Sequence, residues 1–181
     1  MAAELPVAGE EGGSVSARLR RLWRHRWGAI RESDAIFDQA AFDRIEAVIG
    51  EGERRHRGEV RFAIEPTLDP SQIWAGLAPR ERAVQVFSEQ GIWDTEENTG
   101  ILLYLLWADH AVEIVADRGA DRRVPPGRWQ EICTALASAC RDGRALEGVL
   151  AALAAINDTL APVLPVGEGD RDELPNAPIV L

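Results

Sequence analysis

The chain has 181 residues, 46% hydrophobic and 28% charged, the proportions of one globular domain with tails. All 20 of its basic residues are Arg, which excludes a P-loop lysine, a Schiff-base lysine and a lysine general base. Thirty acids bring the net charge to −10, the wrong sign for the basic footprint that nucleic acid requires.

Residues 1–16 carry Glu4, Glu10 and Glu11 and are rich in Gly and Ala, the composition of a flexible acidic tail. They contain neither a cationic n-region nor an apolar h-region, so no secretory signal is expected there. The longest apolar run, residues 101–108, is eight long, against the ~20 that a membrane span needs. A cytoplasmic location is the resulting expectation.

Residues 17–31 (ARLRRLWRHRWGAIR) hold six Arg and no acid. Leu19, Leu22, Trp23, Trp27 and Ile30 recur at helical spacing, with Arg18, Arg20, Arg21, Arg24 and Arg31 elsewhere, which predicts a basic amphipathic helix. One reading docks its Trp face on the domain and its Arg on the domain's acidic surface. The other lays it, through Arg18 to Arg31, on an anionic membrane surface or a membrane-associated protein. RNA, a third anionic partner, is set against the net charge.

From Asp38 to about Arg55, Phe42, Ile45, Val48 and Ile49 mark a helix with Asp38 as its N-cap. Residues 59–65 alternate, with Val60, Phe62 and Ile64 on one side, and predict a strand with two unlike faces. Residues 66–79 read as a turn-rich connection. Pro79 opens a helix with Ala83, Val84, Val86 and Phe87 on its apolar face and Gly91 as its stop.

The segment GILLYLLW from Gly100 is apolar on both sides and predicts a central strand covered on both faces. Ala108, Asp109 and His110 turn the chain, and residues 111–116 return as the second arm of an antiparallel hairpin. The helix between the first two strands makes a β-α-β crossover, hence parallel pairing. Trp129, Ile132, Cys133, Leu136 and Cys140 mark one further helix. Leu146 to Leu164 mark another, and residues 165–181 a second flexible acidic tail. The fold class is therefore α/β, a three-layer α/β/α sandwich around a mixed sheet. Cys133 and Cys140, seven residues apart on one helix, are about 10 Å apart along its axis and beyond disulfide reach, so both read as reduced core residues. Trp93, Trp107 and Trp129 also read as core.

The hairpin sorts the acids to two ends of the sheet. Glu65, Asp69 and Asp109 gather at one; Asp94, Glu96, Glu97 and Asn98 meet Asp117, Arg118 and Asp121 at the other; Glu113 points from mid-strand. Clustered oxygens suit a hard cation, so Asp94, Glu97, Asn98, Asp117 and Asp121 are candidate ligands for Ca²⁺ or Mg²⁺. Such a metal would lower the pKa of a bound water. Arg118, Asp109 and Glu113 are candidate binding residues. The plainer alternative makes these groups turn caps, local ion pairs and solvated surface. No HExxH, CxxC or GxGxxG spacing occurs, and His25, His56 and His110 sit beside no nucleophile elbow.

The segments GEVRFAIEP (residues 58–66), TEENTGILLYLLWADHAVEIVADRG (95–119), the W-x-x-I-C helix from Trp129 and the closing DELPNAPIVL resemble the TPM domain family over about residues 35–164, in the form of its small stand-alone bacterial members. The resemblance implies an α/β/α sandwich. It also implies chemistry attributed to relatives: acid phosphatase activity in thylakoid lumen members and divalent-cation binding in some bacterial ones. The matching positions are Asn98, Gly100, Asp109, Glu113, Asp117, Arg118 and Gly119, with Thr99 added where the family has Asn-Gly. The expectation is a divalent-cation-binding domain with weak metal-assisted phosphatase chemistry. The alternative is a non-enzymatic accessory or quality-control protein for membrane machinery.

Overall fold

A computed structural model describes residues 15–25, 28–167 and 173–181. Its sheet has four strands: β1 (Glu59–Glu65), β2 (Gly100–Leu106), β3 (Ala111–Ala116) and β4 (Ile179–Val180), in the order β3-β2-β1-β4. β1 and β2 are parallel, with Glu59 opposite Gly100 and Glu65 opposite Leu106. β3 returns antiparallel, Leu106 facing Ala111 and Ile101 facing Ala116. The helices are α1 (Val15–Arg24), α2 (Gly28–Ile36), α3 (Gln39–Glu53), α4 (Pro70–Ala75), α5 (Pro79–Glu89), the single turn α6 (Arg118–Asp121), α7 (Arg128–Arg141) and α8 (Ala145–Leu160).

Two apolar cores sandwich the sheet, which is the expected three-layer α/β/α arrangement with its β-α-β crossover and hairpin. Val60, Phe62, Ile64, Ile101, Leu103 and Leu105 pack on α2, α3, α7 and α8. Ala63, Leu102, Tyr104 and Leu106 pack on α4 and α5. Every residue of β2 is buried, which explains why its sequence shows no alternation. Asp38 caps α3 as its position predicts, its side chain accepting from the Ala41 N–H at 2.9 Å. Cys133 and Cys140 are free and buried. Burial, aided by the Glu113 charge, pushes the Cys133 thiol up to about 11. Among the described residues, no helix is long and apolar enough to cross a membrane.

β1 carries unlike faces, yet all seven of its residues are buried. On the polar face, Glu65 accepts from Arg82 Nε at 2.9 Å and from the Tyr104 hydroxyl. Burial raises the Tyr104 pKa and the Glu65 bond raises it further. Burial works to lower the Arg82 pKa, but the bond and charge of Glu65 outweigh it and the guanidinium stays charged. Removing one partner of such a buried pair leaves an unpaired charge in the interior and is strongly destabilising.

Three expectations need correction. The connection after β1 contains α4, because Asp69, Pro70 and Gln72 serve helix starts as well as turns. Gln72 accepts from the Asp69 N–H at 2.9 Å, and Gly76 ends the helix at φ +79°. The reading of residues 165–181 as a flexible tail does not hold for its end. Ile179 and Val180 pair parallel to Ala63 and Ile64, and Glu59 accepts from the Leu174 N–H at 3.2 Å. Two paired residues are too few to show a period. Of the three Trp placed in the core, Trp107 is buried against Phe37, but Trp93 is 54% exposed and Trp129 half-buried.

α1 docks on the domain, but with its polar side inward. Arg21 Nε donates to Asp109 Oδ2 at 2.7 Å, and its Nη1 donates to the Leu77 carbonyl at 2.7 Å. Arg24 Nη2 and His25 Nε2 lie 3.1 and 3.2 Å from Asp109 Oδ1. His25 Nδ1 accepts from the Leu68 N–H at 2.9 Å, which leaves the ring proton on Nε2, facing the carboxylate. Leu22 packs on the core, while Leu19, Trp23 and Ile30 remain exposed. One reading of this segment turns the Trp face inward; one nearly buried carboxylate drawing two guanidiniums and an imidazole sets the opposite orientation. Trp27 lies outside the described residues.

Burial alone would raise the Asp109 pKa, but His25 and Arg21 hold it at about 2, below its ordinary 3.8. A depressed carboxylate stabilises above its unfolded pKa and loses that contribution as pH falls through the folded one. The latch should therefore be complete above about pH 4 and weaken toward about pH 2. Amide hydrogen exchange across that window should show α1 losing protection while β2 keeps it. Equal retention in both would contradict the assignment.

Candidate functional site

The β2–β3 register brings the loop before β2 against the turn after β3. The Asp117 N–H donates to the Gly100 carbonyl at 2.8 Å, and the Gly119 N–H to the Asn98 carbonyl at 2.9 Å. The approach admits no side chain: a Cβ on Gly119 would stand 2.2 Å from the Glu97 carbonyl oxygen and 2.5 Å from that of Asn98. Asn98 takes φ +57°, a left-handed conformation that Asn tolerates better than most residues. Thr99, the residue added relative to the family pattern, is buried, and its N–H donates to Thr95 Oγ1 at 2.9 Å.

The convergence expected of these two loops is present, and three of their carboxylates, Asp117, Asp121 and Glu97, each hold a protein donor. Asp117 caps α6, accepting from the Arg118 N–H at 2.6 Å. Asp121 accepts from Trp129 Nε1 at 3.1 Å. Glu97 pairs with Arg57. Asp94 is exposed, its N–H closing a turn on Gly91 at 2.9 Å. The Glu96 N–H donates to the Glu173 carboxylate at 2.9 Å.

Two candidates lie outside the cluster. Glu113 sits mid-strand opposite Tyr104, 3.7 Å from Arg80; burial raises its pKa and Arg80 opposes the rise. Asp109 holds α1 at the far rim. Among the described residues, no group of three or more His, Cys, Asp or Glu is placed to hold a metal ion. The donor set expected for Ca²⁺ or Mg²⁺ does not fit, since each of those ions takes about six or more oxygen ligands and these acids are not gathered at one point: Asp117 and Asp121 each hold a separate protein donor and Asp94 is exposed at its own turn.

What the junction presents instead is cationic. Asn98, Arg118, Gly119, Arg122 and Arg123 line an open pocket of about 360 Å³, near the small end of the ~300–1,000 Å³ common for ligand sites. Arg123 Nη1 donates to the Gly119 carbonyl at 2.7 Å, which anchors one guanidinium at the pocket. None of the three Arg forms an ion pair with a carboxylate of the described residues. Arg122 and Arg123 are functional candidates that the sequence reading missed. The signal was present in DRGADRR: Asp117 stands where a helix cap belongs, so its charge is directed at backbone N–H groups and the arginines are left in excess.

The profile of the TPM domain family matches residues 30–159. This chain belongs to the TPM domain family. Its fold is that of the BA42 protein from the psychrophilic bacterium Bizionia argentinensis, solved by NMR. The TM-score is 0.69 and the identity 24%, covering 79% of this chain and 94% of that one. No curated protein matches this TPM domain.

The close approach at Gly119 makes a direct prediction. Gly119→Ala must displace backbone rather than a flexible side chain, and should cost about 1–3 kcal/mol in urea unfolding. A loss below about 0.5 kcal/mol would mean that the two loops do not pack as described.

Proposed function

We propose that this TPM domain is a binding module that takes a phosphate-type anion in the pocket of Asn98, Arg118, Arg122 and Arg123. One observation carries the reading: Arg118, Arg122, Arg123 and Asn98 line one pocket, while Asp117, Asp121 and Glu97 beside it each hold a protein donor. Guanidinium is planar and permanently charged, and its paired N–H groups match two oxygens of a phosphate. On a chain of net charge −10, a local excess of positive charge also directs an anion to this rim rather than to the rest of the surface.

The reading falls within the accessory class of function. Turnover of a phosphate monoester needs an activated nucleophile, a side chain or a water with a base or metal beside it. The pocket lining offers guanidinium, amide and glycine backbone, which bind and orient but do not attack. Divalent-cation binding and metal-assisted phosphatase chemistry, both implied by the resemblance, gain no support from the arrangement of the acids.

The test is an NMR titration of the full chain with inorganic phosphate and, separately, with CaCl₂ at matched ionic strength. Phosphate should shift the amides of Asn98, Gly119 and Arg122 saturably. Arg118→Ala and Arg122→Ala should each weaken binding about tenfold, the effect of losing one charged hydrogen bond. Saturable shifts with calcium and none with phosphate would overturn the proposal.

A further inference from the structure

Val15, Leu19 and Trp23 stand four residues apart on α1 and form one stripe along it. They are 61%, 50% and 72% exposed. The stripe continues onto neighbouring elements: Leu19, Trp23 and Ile30 line a shallow groove of about 540 Å³ with Pro70 and Ile73 of α4, and Trp74 of the same helix is half exposed. A surface helix of a globular domain ordinarily turns its apolar stripe to the core. Here Asp109 grips Arg21, Arg24 and His25, so the polar side is fastened inward and the apolar side faces out. Arg20 and Arg31 are exposed near the stripe, and Arg24 keeps 55% of its side chain exposed beyond its contact with Asp109.

We propose that this face seats α1 on an anionic membrane surface, with Leu19, Trp23 and Ile30 entering the interface and Arg20, Arg24 and Arg31 meeting lipid phosphates. Both halves of the surface are used in that arrangement. An indole ring places its apolar body and its N–H at the headgroup boundary, and guanidiniums on long stems reach outward to anionic groups. A polyanion such as RNA would satisfy the arginines and leave the stripe in water. A second copy of this chain would set two arginine-rich faces against each other, with like charges opposed. The latch residue Asp109 and the Arg pocket lie at opposite ends of β2, so the proposal stands apart from the anion site.

The test is flotation of the full chain with vesicles of phosphatidylcholine and phosphatidylglycerol, against vesicles of phosphatidylcholine alone. The full chain should associate about tenfold more with the anionic vesicles, and high salt should weaken that association. Leu19→Glu/Trp23→Glu changes two exposed positions, so it should keep the native melting temperature and fail to float. Arg20→Glu/Arg31→Glu should lose the preference for anionic lipid. Absence of flotation, equal flotation on both vesicle types, or unaltered flotation of the Leu19/Trp23 variant would each overturn the proposal. So would a vesicle-independent dimer that the same variant abolishes, since that would place a second copy on the stripe.

Discussion

The backbone contact between Gly119 and Asn98 is what the rest of the rim depends on. It ends the β2–β3 ladder, holds Asn98 in a left-handed conformation and leaves no room for a side chain at Gly119. It also sets the direction of the next turn. Asp117 must cap α6, and the following arginines leave that turn toward the same opening. Fold and site are thus consequences of one close packing of loops, which ties the chemistry of the rim to the rigidity of the sheet.

A common theme joins the two ends of the sheet. Carboxylates serve structure, and Arg118, Arg122 and Arg123 have no carboxylate partner among the described residues. At one end Asp117, Asp121 and Glu97 each hold a protein donor. At the other Asp109 fastens α1 through two guanidiniums and an imidazole. Glu65 repeats the pattern inside the sheet with Arg82 and Tyr104. With no Lys in the chain, Glu97, Asp109 and Glu65 each draw a guanidinium, whose fork of donors supports several bonds at once.

The layers of the fold were legible from residue spacing. The apolar run of β2, the short turn at Asp109 and the helical period from Phe42 to Ile49 each leave one economical arrangement, and the meeting of the two loops follows from hairpin geometry. The direction of the carboxylates was not legible. Asp117 and Asp121 look alike in composition, yet one bonds a backbone N–H and the other an indole, and a shared rim does not make a shared centre. The orientation of α1 was hidden for a related reason. Amphipathicity shows that a helix has two sides, but which side faces inward was decided by Asp109, almost ninety residues away in sequence. α4 and β4 are short, and an element of one or two turns, or of two paired residues, leaves no period to read.

The most direct test of the central claim, that this rim recognises anions because its acids are committed, is anomalous diffraction from crystals of the full chain soaked with tungstate and, separately, with Mn²⁺. The account predicts a tungstate peak within hydrogen-bonding distance of Arg118 and Arg122, and no manganese peak at Asp117 or Asp121. Manganese bound between those two carboxylates, with no tungstate at the arginines, would contradict it.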